Sequence, residues 1–397
     1  MKEHEDITIE LIQLNEHNPD LKELLEKSIA QAGKLNPDPD TNPVRDLEGY
    51  YAFIDRNYRL MPWRISPSKD FDSLYERIDQ GMGCLYFVCC QPLDELKGRG
   101  YYHNSLIYHE PFRSWFIRFL SVSGEFLSTE DSWKDRYYQK VLANPDFHLD
   151  DDTYESPENW KTFNDFFARR LKDPSRRPMD SPDDCSVIVS PADSVPQGIW
   201  EIGSDSKVIA HGQTEQAGLR IKTGTLRDVS VLLGNSAYAK AFAGGRMTHT
   251  FLDINDYHRY HFPAGGRILE SFVISQDSAP GGVITWVPEE NRYREFFTEV
   301  FGWQSIETRG VLVMEAEGGG LMAVVPVGMC QVASVNFENN AAAGMTVKKG
   351  DPLGWFMFGG SDIVMLFSED MHFEMTAEAG KHILTGKEYG RTGGNRK

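Results

Sequence analysis

The chain divides by the period of its apolar residues. From position 21, LKELLEKSIAQAG places apolar residues three and four apart, one stripe of a helix, and the pattern stops at Gly33 just before a Pro/Asp-rich turn. The same spacing predicts helices over 71–81 and 111–123 and a short one over 163–171, so that residues 21–146 are mostly helical. CLYFVCC at 84–90 is apolar without a period and fits either a short buried strand or a piece of helix. The run NPDFHLDDDTYESPENW, 144–160, is acidic and punctuated by proline, which is how a connection between domains reads. Beyond it CSVIVS, LMAVVPV, CQVASVNF and DIVMLF are short β-rich runs separated by Gly, Pro and Asn/Asp turns. The expected fold class is α+β, a helical N-terminal part, 1–155, followed by a β-rich domain, 156–397. No internal repeat is evident, and the Gly-rich, basic end of HILTGKEYGRTGGNRK is expected to fray.

Charge and cysteine content narrow the partners. Lys and Arg number 41 against 59 Asp and Glu, a formal charge of −18 over 397 residues, which repels nucleic acid and anionic membrane surfaces alike. The expectation is no nucleic-acid partner. Five cysteines, an odd number without a CxxC pair, suggest neither a disulfide framework nor a zinc site, and fit a reducing cytoplasm. The N-terminus sets Glu3, Glu5, Asp6, Glu10 and Glu16 against Lys2 and carries no apolar run of signal-peptide type. No stretch approaches the roughly 18–20 apolar residues that cross a bilayer, so no stable membrane anchor is expected and the chain is cytoplasmic, at most peripheral to a membrane.

Four segments of the second half carry candidate chemistry. WFMFGGSD, 355–362, sets two glycines before Ser361, and their conformational freedom could turn the serine hydroxyl against its own preceding carbonyl; the bland reading is a hairpin turn. DYHRYHFP, 256–263, supplies His258 and His261, side chains able to move protons near neutrality. They could equally be one core and one solvated histidine, and a spacing of three without a paired third ligand is weak evidence for metal. SPADS, 190–194, puts Asp193 at a strand end, either as a turn former or as the orienting carboxylate of a Ser/His/Asp set. VPVGM, 325–329, reads as well as plain core as it does as a site strand.

Taken in order, these segments resemble the motifs of the phosphatidylserine decarboxylase family: a TFNDFF-like stretch, SPAD, YHR-x-H-x-P, PVG and a terminal Gly-Ser. The chain offers TFNDFFARRL (162–171) with RRP (176–178), IKTGTLRDVSVLLG (221–234), DYHRYHFP and KKGDPLGWFMFGGS (348–361), and the likeness covers roughly residues 160–375. It departs from the family's Gly-Ser-Thr at Asp362.

The resemblance implies a β-rich catalytic domain and a proenzyme that cuts itself between Gly360 and Ser361. Ser361 attacks the Gly360 carbonyl, the resulting ester eliminates to dehydroalanine, and hydrolysis leaves a pyruvoyl group, the cofactor. It assigns His261 as the base of cleavage with Asp193 orienting it, and His258 as proton donor during decarboxylation through a Schiff base. Implied partners are a small-molecule amino acid or phosphatidylserine, within a two-chain enzyme that could pair as a homodimer. Charge, the missing anchor and the helical first part resemble the family's soluble amino-acid decarboxylase branch, with aromatic amino acids first in line. The alternatives are a phosphatidylserine decarboxylase of phospholipid biosynthesis, and an uncleaved inactive relative serving as a binding or scaffolding protein.

Overall fold

The computed structural model describes residues 4–65, 73–99, 103–209, 228–275, 283–296, 303–329, 334–359 and 361–393. Gly360, Cys330, the stretch 221–227, the start of the helix expected at 71 and part of the 275–293 region lie outside the described residues.

Among the described residues, six α-helices fill most of the first 142 positions: α1 (Asp6–His17), α2 (Pro19–Leu35), α3 (Leu47–Asn57), α4 (Leu74–Phe87), α5 (Phe112–Leu127) and α6 (Asp135–Leu142). The stripe read from position 21 is α2, which starts two residues earlier because Pro19 sits where a helix needs no N–H, and runs past Gly33 to Leu35. Ser73 caps α4 by accepting from the Glu76 amide. That helix outruns the expected end at 81 and takes in CLYF before a 3-10 turn, Val88–Cys90, so the helical reading of 84–90 holds. No helix among the described residues is long and apolar enough to cross a membrane.

After α7 (Phe163–Phe167) the chain turns to strands: β1 (Val187–Val189), β2 (Val195–Ile202), β3 (Val208–Ile209), then α8 (Val229–Leu232), β4 (Arg246–Leu252), β5 (Arg259–His261), β6 (Gly266–Ile274), β7 (Val283–Val287) and β8 (Arg292–Phe296). There follow β9 (Thr308–Ala316), β10 (Leu321–Gly328), β11 (Val335–Phe337), β12 (Thr346–Val347), β13 (Pro352–Phe356), β14 (Ser361–Phe367), β15 (Phe373–Met375) and β16 (Glu388–Thr392). An antiparallel sheet runs β12-β6-β9-β10-β14-β4-β2-β3, flanked by three-stranded sheets β11-β13-β5 and β1-β16-β15. The fold class is α+β, as the periods indicate.

DIVMLF reads as a continuous apolar run because β14 is covered on both faces, all seven of its residues being buried. Ile363, Met365 and Phe367 enter one core with Leu252, Leu312 and Met314; Val364 and Leu366 enter the other with Val311, Val325 and Phe242. β13 and β14 do not form the hairpin that the glycine pair could have closed. β13 belongs to a small sheet and β14 to the large one, so the chain changes sheets there.

The β7-β8 hairpin leaves the strand-rich part and packs into the helical core, where Trp286 and Tyr293 join Phe87, Cys84 and Phe116. Gln80 brackets the Tyr293 backbone with bonds of 2.9 and 2.6 Å, and the Tyr293 hydroxyl donates to the Thr41 carbonyl at 2.6 Å. Gly83 permits the contact, since a Cβ there would lie 2.4 Å from Tyr293 Cβ. A second shared core joins Met61, Trp63 and Trp133 to Phe163, Phe167, Tyr257 and Phe358. The acidic stretch 144–160 is irregular but also packed, with Phe147, Tyr154 and Trp160 buried in that core.

Truncating Tyr293 to Ala removes a buried ring and its hydrogen bond, and should lower unfolding free energy by about 3–5 kcal/mol in urea titrations of the Ser361→Ala chain. A cost below about 1 kcal/mol would mean that the hairpin does not hold the two parts together.

Candidate active site

Ser361 opens β14, paired with Gly328 of β10 on one side and Leu252 of β4 on the other. The side chain is buried, and its hydroxyl makes a long bond, 3.5 Å, to the Gly359 carbonyl. A second connection spans the same two sheets: β4 ends at Leu252, opposite Ser361, while β5 begins at Arg259, opposite Trp355. The Phe356 amide donates to the His258 carbonyl at 2.9 Å. His258 is therefore carried on the partner of the segment that leads into Ser361.

Aromatic packing fixes both connections. The Phe358 amide donates to Asn164 Oδ1 at 2.9 Å, and its ring meets Phe163 and Phe167 edge-on at 5.3 and 5.2 Å. Phe167 stacks on the His258 ring at 3.7 Å. Thr162 and Asp165 form the capping box that starts α7 and sets these rings in place.

His258 is 1% exposed. Burial, with the Arg169 guanidinium nearby, holds it well below the ordinary imidazole range, so it is neutral. Its Nδ1–H donates to the Asp256 carbonyl at 2.9 Å, which leaves Nε2 as an acceptor. Arg169, itself fully buried, lies over the Tyr154 ring at 4.3 Å and donates to the Asn255 and Asp256 carbonyls at 2.7 and 3.1 Å. His261 lies on β5, its amide bonded to the Pro191 carbonyl of the SPADS loop at 2.8 Å. Its Nδ1–H donates to the Gly350 carbonyl at 2.9 Å, and Nε2 accepts from the Tyr257 hydroxyl at 3.1 Å. Burial lowers its pKa as well.

Asp193 departs from the expected arrangement. Its carboxylate is paired with Arg177, Nε to Oδ1 at 2.9 Å, and accepts the Thr385 amide and hydroxyl, both at 2.8 Å. His261 is oriented by Gly350 and Tyr257 instead, and Asp193 acts on it through its field, which favours the protonated ring. The reason is competition: a guanidinium offers a bidentate charged partner that a neutral imidazole cannot match. Burial pulls the Arg177 pKa down, but the Asp193 bond and charge outweigh it and the net shift is upward.

Several neighbours escaped the sequence reading. Tyr257 and Asp256 stand inside DYHRYHFP and Arg177 inside RRP, but no spacing distinguished them. His382, whose Nε2 lies 2.7 Å from Asp256 Oδ1, and Thr385 come from the tail, where no local signal marked them. Asp362 points to the opposite face of β14 from Ser361, fully buried, with His249 Nδ1 3.1 Å from Oδ2 and Trp200 stacked on the imidazole. The hydrogen bond between that nitrogen and the carboxylate runs to Oδ1 at 3.3 Å, and Oδ2 has none. Among the described residues, no three His, Cys, Asp or Glu side chains gather as metal ligands would.

The phosphatidylserine decarboxylase family model matches residues 163–391. The chain is 33% identical over 212 residues to phosphatidylserine decarboxylase proenzyme 3 of Schizosaccharomyces pombe, covering 53% of this chain and 19% of that protein. It is 31% identical over 249 residues to proenzyme 2 of Oryza sativa, 62% of this chain and 35% of the relative. Against the proenzyme of Bacillus mycoides the identity is 32% over 232 residues, 57% of this chain and 74% of the relative. The alignment thus spans about a fifth and about a third of the yeast and rice proteins. The chain belongs to the phosphatidylserine decarboxylase family, whose members are pyruvoyl-dependent carboxy-lyases made as proenzymes, the pyruvoyl group arising from a serine on self-cleavage.

The two buried imidazoles set a pH dependence. Each binds its proton more weakly in the fold than in the unfolded chain, so stability is present above the unfolded value of about 6.5 and is lost as pH falls towards the folded values. Asp256, raised to about 6 by burial, and His382, raised by its bond to Asp256, work in the opposite sense over an overlapping range. His258→Phe in the Ser361→Ala chain keeps an aromatic stack and removes one titration. Urea midpoints should therefore fall less between pH 7 and 5 in the double variant than in Ser361→Ala; equal slopes would mean that His258 binds its proton as tightly in the fold as in the unfolded chain.

Proposed function

We propose that this chain cuts itself between Gly360 and Ser361 and, with residue 361 as the pyruvoyl group, removes the α-carboxylate of phosphatidylserine to give phosphatidylethanolamine. The observation that carries the chemistry is Ser361, a buried serine with a weakly held hydroxyl at the mouth of a central strand, whose preceding segment pairs with the one that carries the neutral His258 imidazole. The substrate follows the names of the relatives, which favour the lipid over the free amino acid with which the sequence reading began.

In the cutting step the Ser361 oxygen replaces the Ser361 nitrogen on the Gly360 carbonyl carbon, and the hydroxyl proton passes through a base to that nitrogen. Elimination frees the Gly360 carboxylate and leaves dehydroalanine, which loses ammonia to water and becomes the ketone. His261 is the proposed base, and Tyr257 must rotate away from Nε2 or relay the proton. The Asp193–Arg177 pair ties the SPADS loop to the RRP segment, and the His261 amide ties it to β5. The pyruvoyl ketone supplies an electron sink for the pair left when carbon dioxide departs. A substrate amine arrives as an ammonium, and His258 Nε2 is the proposed acceptor of the proton it sheds and the donor that returns it to carbon. Phe167, Phe163 and Phe358 keep water from this imidazole.

The second reading, a free amino acid, draws on the helices packed against the strand-rich part near this crossover. Tyr75 of α4 donates to Asp253 at 3.3 Å, and one buried core holds Leu74 and Ile78 of α4 together with Phe358. Helices packed there suit a small enclosed substrate, and the −18 charge disfavours anionic lipid. Residues 1–155 would then be the substrate-enclosing unit and 156–397 the catalytic one.

Purified protein should run as two chains, the shorter starting at a blocked residue 361 that reacts with hydroxylamine or borohydride, and Ser361→Ala should remain single. His261→Ala should accumulate proenzyme, whereas His258→Ala should cleave and turn over at least about a hundredfold more slowly. A single chain with full decarboxylase activity would defeat the pyruvoyl reading, and equal loss of cleavage in both variants would defeat the division of roles.

Carbon dioxide release from dispersed phosphatidylserine and from a panel of free amino acids, aromatic ones included, separates the substrates. Turnover of the lipid supports the leading reading; turnover confined to free amino acids replaces it with the second.

A further inference from the structure

We infer that His382, a residue of the short chain that cleavage would release, is a positioning residue for decarboxylation: it holds the Asp256 carboxylate and, through that residue, the ring of His258. The inference rests on the proposed cleavage and on the proposed role of His258.

The contacts run through one turn. Asp256 Oδ1 accepts from His382 Nε2 at 2.7 Å, and Oδ2 accepts from the Asp253 amide at 2.8 Å. The Asp256 amide donates back to the Asp253 carbonyl at 3.0 Å, so the carboxylate closes a turn between β4 and β5. The Asp256 carbonyl accepts from His258 Nδ1 at 2.9 Å and from Arg169 at 3.1 Å. One end of Asp256 thus answers to the tail of the chain, and the other fixes which His258 nitrogen carries the proton.

Charge explains why a histidine stands there. Asp256 is buried, and the groups around it are the carboxylates of Asp193 and Asp253, the guanidinium of Arg169 on its carbonyl side, and the His258 ring. Arg177 is engaged by Asp193, and Tyr75 bonds to Asp253. His382 supplies the cation on the carboxylate side, and its side chain remains 42% exposed, so solvent pH reaches the turn through it. The hydrogen bond to Asp256, followed by the charges of Asp256, Asp193 and Asp253, raises the proton affinity of the ring. The cation is present below the raised value and is lost as pH rises through it. A buried carboxylate without its cation is costly and reorganises its surroundings.

The site would then be complete only while the short chain stays seated. That chain is held by β14 between β10 and β4, by β16 between β1 and β15, and by bonds from Thr385 to Asp193 and Lys387 to Asp180. None of these bears on the His258 ring as His382 does through Asp256.

Two variants test the inference in the full chain. His382→Ala and His382→Gln should both cleave to completion at the parent rate. With the substrate found above, kcat should fall by up to about a hundredfold in His382→Ala with KM little changed, the cost of a loosely held catalytic group. In the parent, kcat should decline as pH rises through the raised His382 value, and His382→Gln should lack that decline. A readout independent of turnover is the Nδ1–H proton signal of His258 in Ser361→Ala, which should broaden or vanish when His382→Ala is added. An unchanged signal with unchanged kcat would overturn the inference, and so would loss of cleavage in step with loss of kcat, which marks a merely structural residue. If the parent cleaves and no substrate is turned over, the proposed function fails while the proton signal still decides the role of His382.

Discussion

The change of sheet between β13 and β14 is the constraint on which the site depends. The chain leaves a small sheet at Phe356 and enters the large one at Ser361 with only four residues between the strands. It enters between β10 and β4, not at an edge, so Ser361 is enclosed from its first atom. A strand paired on both sides keeps its ladder when the peptide bond preceding it is cut, because the bonds that hold it run to other strands. The same geometry that buries the hydroxyl therefore retains the chain that cleavage would create.

Buried charge around this crossover is organised in pairs: Asp193 with Arg177, Asp256 with His382, Asp362 with His249. Each carboxylate has a cationic or ionisable partner of its own, which leaves both His258 and His261 to backbone carbonyls. An imidazole that gives its Nδ1 proton to a carbonyl and is buried stays neutral and presents Nε2 as an acceptor. The price of such pairing is specificity of a severe kind, since removing one member strands the other in a low dielectric.

The helical part is bound into this arrangement. The β7-β8 hairpin crosses into the helical core, and the aromatic cluster from Trp63 through Phe167 to Phe358 runs back into the site. Substitutions more than sixty residues from Ser361 in sequence can reach its surroundings through contiguous packing. The acidic stretch at 144–160 looked like a linker because its backbone is irregular and its charges face water; its buried aromatic residues gave no periodic signal.

Local pattern by itself determined the helices α2, α4 and α5, the β-rich second half, and the segments that hold Ser361, His258, His261 and Asp193, since a 3.6 or continuous apolar period and a Gly-Gly-Ser or His-x-x-His string are properties of neighbours in the chain. Only the tertiary structure decided that β13 and β14 lie in different sheets, that Asp193 answers to Arg177 and Thr385 while Tyr257 and Gly350 hold His261, and that His382 meets Asp256. Apart from Tyr257, four residues from His261, these pairings join residues from 16 to 192 positions apart. Which carboxylate meets which cation depends on distance and burial in the folded chain, and no local period encodes either.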